Sequence, residues 1–154
     1  MPNIAVFAGS FDPITKGHED IVRRALPLFD RIIVAVGHNA DKKSMFSIEQ
    51  RVEFIQKTFA GIPNVTVETY NGLTVEFCRK HHASFLLRGL RSVADFEYER
   101  NIAAINTELL PILETVFMFT APEYSHISST IVRDVMHHGG DITRFLPEAL
   151  KGEF

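Results

Sequence analysis

Arg31-Ile32-Ile33-Val34-Ala35-Val36-Gly37 is the stretch on which the fold turns. It is apolar at successive positions and rich in β-branched side chains, so it has no face suited to water. Strands covered on both faces read this way, and they belong to parallel sheets. Upstream, Ile4-Ala5-Val6-Phe7 is a second short apolar run ending at Gly9, and between the two runs Ile21, Val22, Ala25, Leu26 and Phe29 recur at helical spacing. Downstream, Ser47 with Gln50 three residues on is a capping-box signature, and Val52, Ile55 and Phe59 form a helical face. The alternation continues. Val65-Thr66-Val67 is a strand and Leu73 to His81 a helix. Ser84-Phe85-Leu86-Leu87-Arg88 is a strand, and Ser92 with Asp95 suits the start of a long helix running to about Leu109. Val116-Phe117-Met118-Phe119 is a fifth strand, and Ser129 or a neighbour starts a helix that stops at Gly139-Gly140. Five such units predict an α/β fold: a Rossmann-like five-stranded parallel sheet with helices on both faces and right-handed crossovers. The tail beyond Gly140, with Phe145-Leu146-Pro147, is expected to dock on the body or on a neighbouring subunit.

Bulk properties narrow the function classes. At 154 residues the chain is expected to be a single domain over 1–154. A net charge of −3 argues against a nucleic-acid module, whose affinity comes from neutralising phosphates. A lone cysteine, Cys78, cannot form an internal disulfide, and its setting in Val75-Glu76-Phe77-Cys78 reads as a buried thiol in a reducing compartment. No window is apolar enough for a membrane span and no leader is evident, so a cytoplasmic location is expected.

Ligands of such sheets bind beyond the carboxyl ends of the strands, so the segments after each strand carry the functional reading. The first is Gly9-Ser10-Phe11-Asp12-Pro13-Ile14-Thr15-Lys16-Gly17-His18. Gly9 lets the backbone approach a ligand, Gly17 clears space beside His18, and the ring N–H of His18 can donate to a phosphate oxygen as charge develops. A histidine that merely caps or packs at a helix end is the plainer alternative. The last is Ile127-Ser128-Ser129-Thr130-Ile131-Val132-Arg133, with three hydroxyl residues where one cap suffices. Between them lie Lys42-Lys43 after the second strand and Arg88 to Arg91 after the fourth. These would make the rim locally positive and suited to a polyphosphate. The basic residues have plainer readings too: Lys42-Lys43 as a solvated turn, and Arg88 and Arg91 as partners of Asp95 or Glu99. Glu99 alone reads as a solvated helical charge, and Tyr124 as an ordinary loop aromatic. The pairs His81-His82 and His137-His138 point apart on a helix, and no metal-ligand spacing occurs, so no protein metal site is expected.

Thr-x-Gly-His after the first strand, paired with Ile-Ser-Ser-Thr-x-x-Arg near the fifth helix, resembles the nucleotidyltransferase superfamily with a Rossmann-like fold. The segment 9–18, Lys42-Lys43-x-Met45-Phe46, the run from Arg88 to Glu99, and Phe145-Leu146-Pro147 are together similar to bacterial phosphopantetheine adenylyltransferases. The resemblance implies transfer of AMP from ATP to 4′-phosphopantetheine, giving dephospho-coenzyme A and pyrophosphate. It also implies Mg²⁺ with ATP, a homohexamer, and coenzyme A as an inhibitor. By the same resemblance Ser10 and Lys42 contact the acceptor phosphate and the reacting α-phosphate region, and Thr74 and Arg88 line the pantetheine side. ATP falls to Ser10, Phe11, Gly89, Leu90, Arg91, Glu99, Tyr124, Ser125, His126, Ile127, Ser128, Ser129 and Thr130, with His18 stabilising the transition state beside Lys42 and Arg91. Ser10 stands where the family usually has Thr, and Tyr124 where Trp is often found. Three other readings remain open on sequence: another acceptor such as nicotinamide mononucleotide, a cytidylyltransferase acting on glycerol phosphate or phosphocholine, and a non-catalytic nucleotide-binding regulator.

Overall fold

Backbone pairing in the computed structural model, which describes residues 1–39 and 41–154, gathers five strands into one sheet. They are β1 (Ile4–Gly9), β2 (Arg31–Gly37), β3 (Val65–Tyr70), β4 (Phe85–Leu90) and β5 (Glu114–Phe119). Their order is β3-β2-β1-β4-β5, and every neighbouring pair is parallel. The helices are α1 (Lys16–Ala25), α2 (Ile48–Thr58), α3 (Thr74–Lys80), α4 (Val93–Leu109) and α5 (Ser129–His137). The chain therefore winds one way from β1 through β2 to β3 and the other way from β4 to β5. The reversal between β1 and β4 is a topological switch point, where a crevice opens beyond the carboxyl ends.

Side-chain alternation along the strands divides the core in two. On one face Ala5, Phe7, Ile32, Val34, Val36 and Leu87 pack against Ile21, Val22 and Ala25 of α1 and Phe54 and Ile55 of α2. On the other, Val6, Ala8, Ile33, Ala35 and Leu86 meet Val75, Phe77 and Cys78 of α3, with Leu110 and Leu113. Positions 32 to 36 of β2 are all 0% exposed, which is why that segment carries no polar face. Cys78 is buried as expected, and desolvation pushes its thiol up to about 11.

Two features depart from the sequence reading. β3 runs on to Tyr70 and β5 begins at Glu114. Both are edge strands and only partly covered, so polar residues such as Glu68 and Glu114 extend them without the apolar run that marks a buried strand. α4 starts where Ser92 predicts it, with the Ser92 hydroxyl accepting the Asp95 N–H, but none of its residues is buried. Phe96, Tyr98, Ile105 and Leu109 are exposed along it, as are Ile112 and Phe119 at the β5 edge. The tail docks on its own body: Leu146 packs with Ile127, Val132 and Ile142, and Leu150 joins the first core face. No helix among the described residues is long and apolar enough to cross a membrane.

Candidate active site

The crevice at the switch point is a cleft of about 310 Å³. The loop after β1 brings Ser10 and Phe11, α1 brings His18, and the segment after β2 brings Lys42. β4 and the turn beyond it bring Arg88, Gly89 and Arg91, α4 brings Glu99, and α5 and its approach bring Ile127, Ser128, Ser129 and Thr130. Residues as far apart in the chain as Ser10 and Thr130 thus share one rim. Among the lining side chains the cations are Lys42, Arg88, Arg91 and Arg133, against the carboxylates Asp95 and Glu99. The cleft is locally positive although the chain carries −3 overall.

His18 is fixed by a capping box at the start of α1. The Thr15 hydroxyl accepts the His18 N–H at 3.4 Å, and His18 Nδ1 accepts the Thr15 N–H at 3.0 Å. A nitrogen that accepts a backbone N–H carries no proton, so the neutral ring has its proton on Nε2. Burial, then the charges of Arg88 and Arg91, lower its pKa from the ordinary 6.5 to about 4. His18 is therefore both a cap and a neutral donor, and the two roles use different ring nitrogens. Edge-on packing by Phe11 at 5.0 Å and Phe7 at 6.2 Å between ring centroids sets the ring plane.

Arg88 and Arg91 do pair with carboxylates, as the plainer reading held. Arg88 donates from Nε and Nη2 to Glu99 Oε2 and Oε1 at 3.0 and 2.8 Å, and from Nη1 to the Ala8 carbonyl at 2.6 Å. Such a two-pronged pair fixes the guanidinium plane. Glu99 is thus no solvated charge: its side chain is 12% exposed. Arg91 is held less tightly, by Asp95 at 3.3 Å. Both arginines nevertheless line the cleft, so the pairing orients them there. Thr74 lies outside this cleft, in an adjoining cavity of about 320 Å³ whose walls include Tyr70, Leu73, Ile102 and Asn106. The two cavities share Ala8, Gly9, Arg88 and Glu99 as their common wall.

The hydroxyls at α5 are largely engaged. Ser128 is the N-cap and accepts the Ile131 N–H at 3.2 Å, Ser129 donates to the Pro13 carbonyl at 2.8 Å, and Thr130 accepts from Arg133 at 3.3 Å. Among the described residues the unused groups there are the backbone N–H groups of Ser129 and Thr130, at a helix start that favours anions. Leu90, Tyr124, Ser125 and His126 lie outside the cleft lining. Leu90 is 2% exposed in the core, Tyr124 packs with Ile127 in the third cluster, and the Ser125 hydroxyl donates to the Pro122 carbonyl. Gly89 sits in a tight place: a Cβ there would stand 3.1 Å from Ile21 Cγ1, closer than ordinary contact. Gly17 has ordinary room, since its Cβ would meet nothing closer than 3.5 Å.

Three residues that hold the site have no role in the sequence reading, although Asp12 and Arg133 stand within its motifs. Asp12, 5% exposed, accepts the Met45 and Phe46 N–H groups at 2.9 Å each and so ties the Lys42 segment to the β1 loop. Arg133 donates to the Asp12 carbonyl at 2.8 Å, linking α5 to the same loop. Arg51, 4% exposed, donates to the Ser10 carbonyl at 2.9 Å. Their partners lie tens of residues away, and periodicity carries no sign of them.

A family model described as Cytidylyltransferase-like matches residues 6–135. A phosphopantetheine adenylyltransferase of Flavobacterium johnsoniae is 55% identical over 147 residues, covering 96% of each chain. One of Clostridium perfringens is 50% identical, over 96% of this chain and 90% of that one. One of Leptospira biflexa is 48% identical, over 97% and 94%. Among solved structures, a bifunctional NMN adenylyltransferase/ADP ribose pyrophosphatase from Francisella tularensis superposes with a TM-score of 0.74 at 19% identity. It covers 97% of this chain and 46% of that one, a likeness of fold alone.

Proposed function

The chain belongs to the cytidylyltransferase-like family and, within it, with the phosphopantetheine adenylyltransferases, and on that premise we propose how its cleft works. The enzyme transfers the adenylyl group of ATP to 4′-phosphopantetheine, forming dephospho-coenzyme A and pyrophosphate in coenzyme A synthesis. The acceptor phosphate is already an anion at neutral pH and needs no general base. The obstacle is bringing it up to a second anion, and chemistry of this kind is met by positioning and electrostatics.

Lys42 and Ser10 receive the acceptor phosphate, and Arg88, fixed by Glu99, stands in the wall between the acceptor cavity and the ATP side. Arg91 and the first turn of α5 take the β- and γ-phosphates. His18 donates from Nε2 to the α-phosphate as it passes through its most charged state. The observation that carries this reading is the capping box: Thr15 occupies Nδ1, which leaves Nε2–H as the ring's donor inside a cleft lined by cations. Mg²⁺ enters with ATP. The lining carboxylates are engaged by Arg88 and Arg91, and no cluster of three metal-ligating side chains occurs among the described residues. An ion brought in with ATP would offset the charge of the triphosphate. Location in the cytoplasm fits the lone, buried thiol.

The bare α4 face and the β5 edge support assembly. A 17-residue helix with no buried residue, exposing Phe96, Tyr98, Ile105 and Leu109, fits a surface covered by further copies of the chain, as in the hexamer the family resemblance implies. Light scattering on the purified protein tests it. For activity, ATP and Mg²⁺ are supplied with a panel of phosphorylated acceptors, and products are read by mass spectrometry. Dephospho-coenzyme A is expected from 4′-phosphopantetheine. Preferential adenylylation of nicotinamide mononucleotide would overturn the assignment.

A further inference from the structure

We infer that Arg51 is a positioning residue for the acceptor phosphate: a buried, permanent charge behind Ser10 that offsets the incoming anion. Arg51 is the fourth residue of α2 and only 4% exposed. It meets no carboxylate within 4.0 Å among the described residues, whereas Arg88, Arg91 and Arg133 each have one within that distance. Asp12, the other buried charge near the β1 loop, has its carboxylate on the Met45 and Phe46 N–H groups and 4.0 Å from Arg133. The Nε of Arg51 is buried without an acceptor among the described residues. A buried charge left without a counter-ion is costly, and departures of this kind concentrate where function requires them.

The placement says what the charge is for. Nη1 donates to the Ser10 carbonyl at 2.9 Å and reaches the Gly37 carbonyl at 3.5 Å. Ser10 follows β1 and lines the cleft, and Gly37 ends β2 just ahead of the segment carrying Lys42. Arg51 therefore grips the roots of the two loops that bring Ser10 and Lys42 to the rim. Carbonyl oxygens at the carboxyl end of a parallel sheet present negative poles to whatever binds there. By occupying two of them and adding a positive charge, Arg51 turns that edge from repelling a phosphate to attracting one. The inference rests on the reading that the acceptor phosphate sits at Ser10 and Lys42.

The test compares steady-state KM for 4′-phosphopantetheine and for ATP in R51Q, R51K and K42M, each checked for folding by near-UV circular dichroism. We expect R51Q to raise the acceptor KM ~10-fold or more while the ATP KM stays within ~2-fold. R51K keeps the charge and should remain within ~3-fold of wild type on the acceptor. An unchanged acceptor KM in R51Q, or equal rises for both substrates, overturns the inference. Should R51Q not fold, R51K decides: a ~10-fold rise in its acceptor KM shows that charge is not what Arg51 supplies. K42M separates the two layers. An unchanged acceptor KM there sinks the placement of the phosphate itself, whereas a raised one beside a normal R51Q sinks Arg51 alone.

Discussion

Replacing His18 separates the cap that Nδ1 makes in the structure from the donor role proposed for Nε2. His18→Ala removes the Nε2–H donor, a loss on the scale of ~100-fold or more in kcat, or about 2.7 kcal/mol of transition-state stabilisation. It also leaves the Thr15 N–H without its 3.0 Å acceptor. Loss of such a cap costs about 1 kcal/mol, which in a chain of this size lowers the melting midpoint by about 2–4 °C. His18→Gln isolates the first effect. The box at α2 already shows a glutamine in the equivalent place, with Gln50 Oε1 accepting the Ser47 N–H at 3.0 Å. His18→Gln should therefore restore the cap and recover the midpoint to within about 1 °C, while kcat stays at least ~10-fold below wild type because the introduced amide is a poorer match for the Nε2 position. The assay is pyrophosphate release under saturating ATP and 4′-phosphopantetheine, with thermal unfolding of the same samples. Near-wild-type turnover in His18→Ala removes the ring from the mechanism, and a midpoint in His18→Gln as low as in His18→Ala removes it from the cap.

The pH dependence of stability follows from the same histidine, since its folded pKa of about 4 lies below the ordinary 6.5. Between those values the unfolded chain binds the proton and the folded one does not, so His18's contribution is full above about 6.5 and is lost as pH falls toward 4. Wild type should lose more stability than His18→Gln across that window, and parallel curves would refute the shift. Direct transfer predicts inversion at phosphorus when a chiral α-thio-ATP is the donor; retention would demand a covalent enzyme intermediate. Gly89→Ala drives a methyl group to 3.1 Å from Ile21, and overpacking of this kind should cost about 1–3 kcal/mol, read as a lower unfolding midpoint. The Cys78 thiol, pushed up to about 11 by burial, should resist a thiol reagent in the native protein and react at once in denaturant.

How much of this was legible in the sequence depends on whether a residue's role is local. The capping box at Ser47, the N-cap at Ser92 and the apolar run of β2 stand in the structure as read, because each is decided within a few residues. Strand ends at the sheet edges extend beyond the sequence reading, since Glu68 and Glu114 lie on partly covered strands and break no packing rule there. The segments that meet at the rim were also legible, because a parallel sheet sends every βα loop to one edge. The layer beneath was not. Asp12 and Arg51 bond backbone groups 34 and 41 residues away, and a charged residue destined for burial looks like any solvated one until the fold closes over it. The hydroxyl run at 128–130 was read as surplus to capping, yet each hydroxyl has a partner, and the surplus lies in the helix N–H groups behind them.

On the proposed mechanism, the neutrality of His18 decides how the cleft would discriminate the transition state. Lys42, Arg88, Arg91 and Arg133 already supply attraction to any polyphosphate, bound as substrate or midway through transfer. A fifth cation would strengthen both states alike, which tightens ATP without speeding its reaction. A neutral donor gains most as negative charge concentrates on the oxygen it faces, so its contribution grows along the reaction. The arginines that make the cleft attractive also help to hold His18 neutral, because their charges add to burial in disfavouring a proton on Nδ1. Weakening them should therefore do more than loosen ATP. Removing both Arg88 and Arg91 should raise the pKa of His18 toward its ordinary value, visible by NMR titration of the ring. A His18 pKa that stays near 4 in the double variant would leave burial as the whole cause and disconnect the two halves of the site.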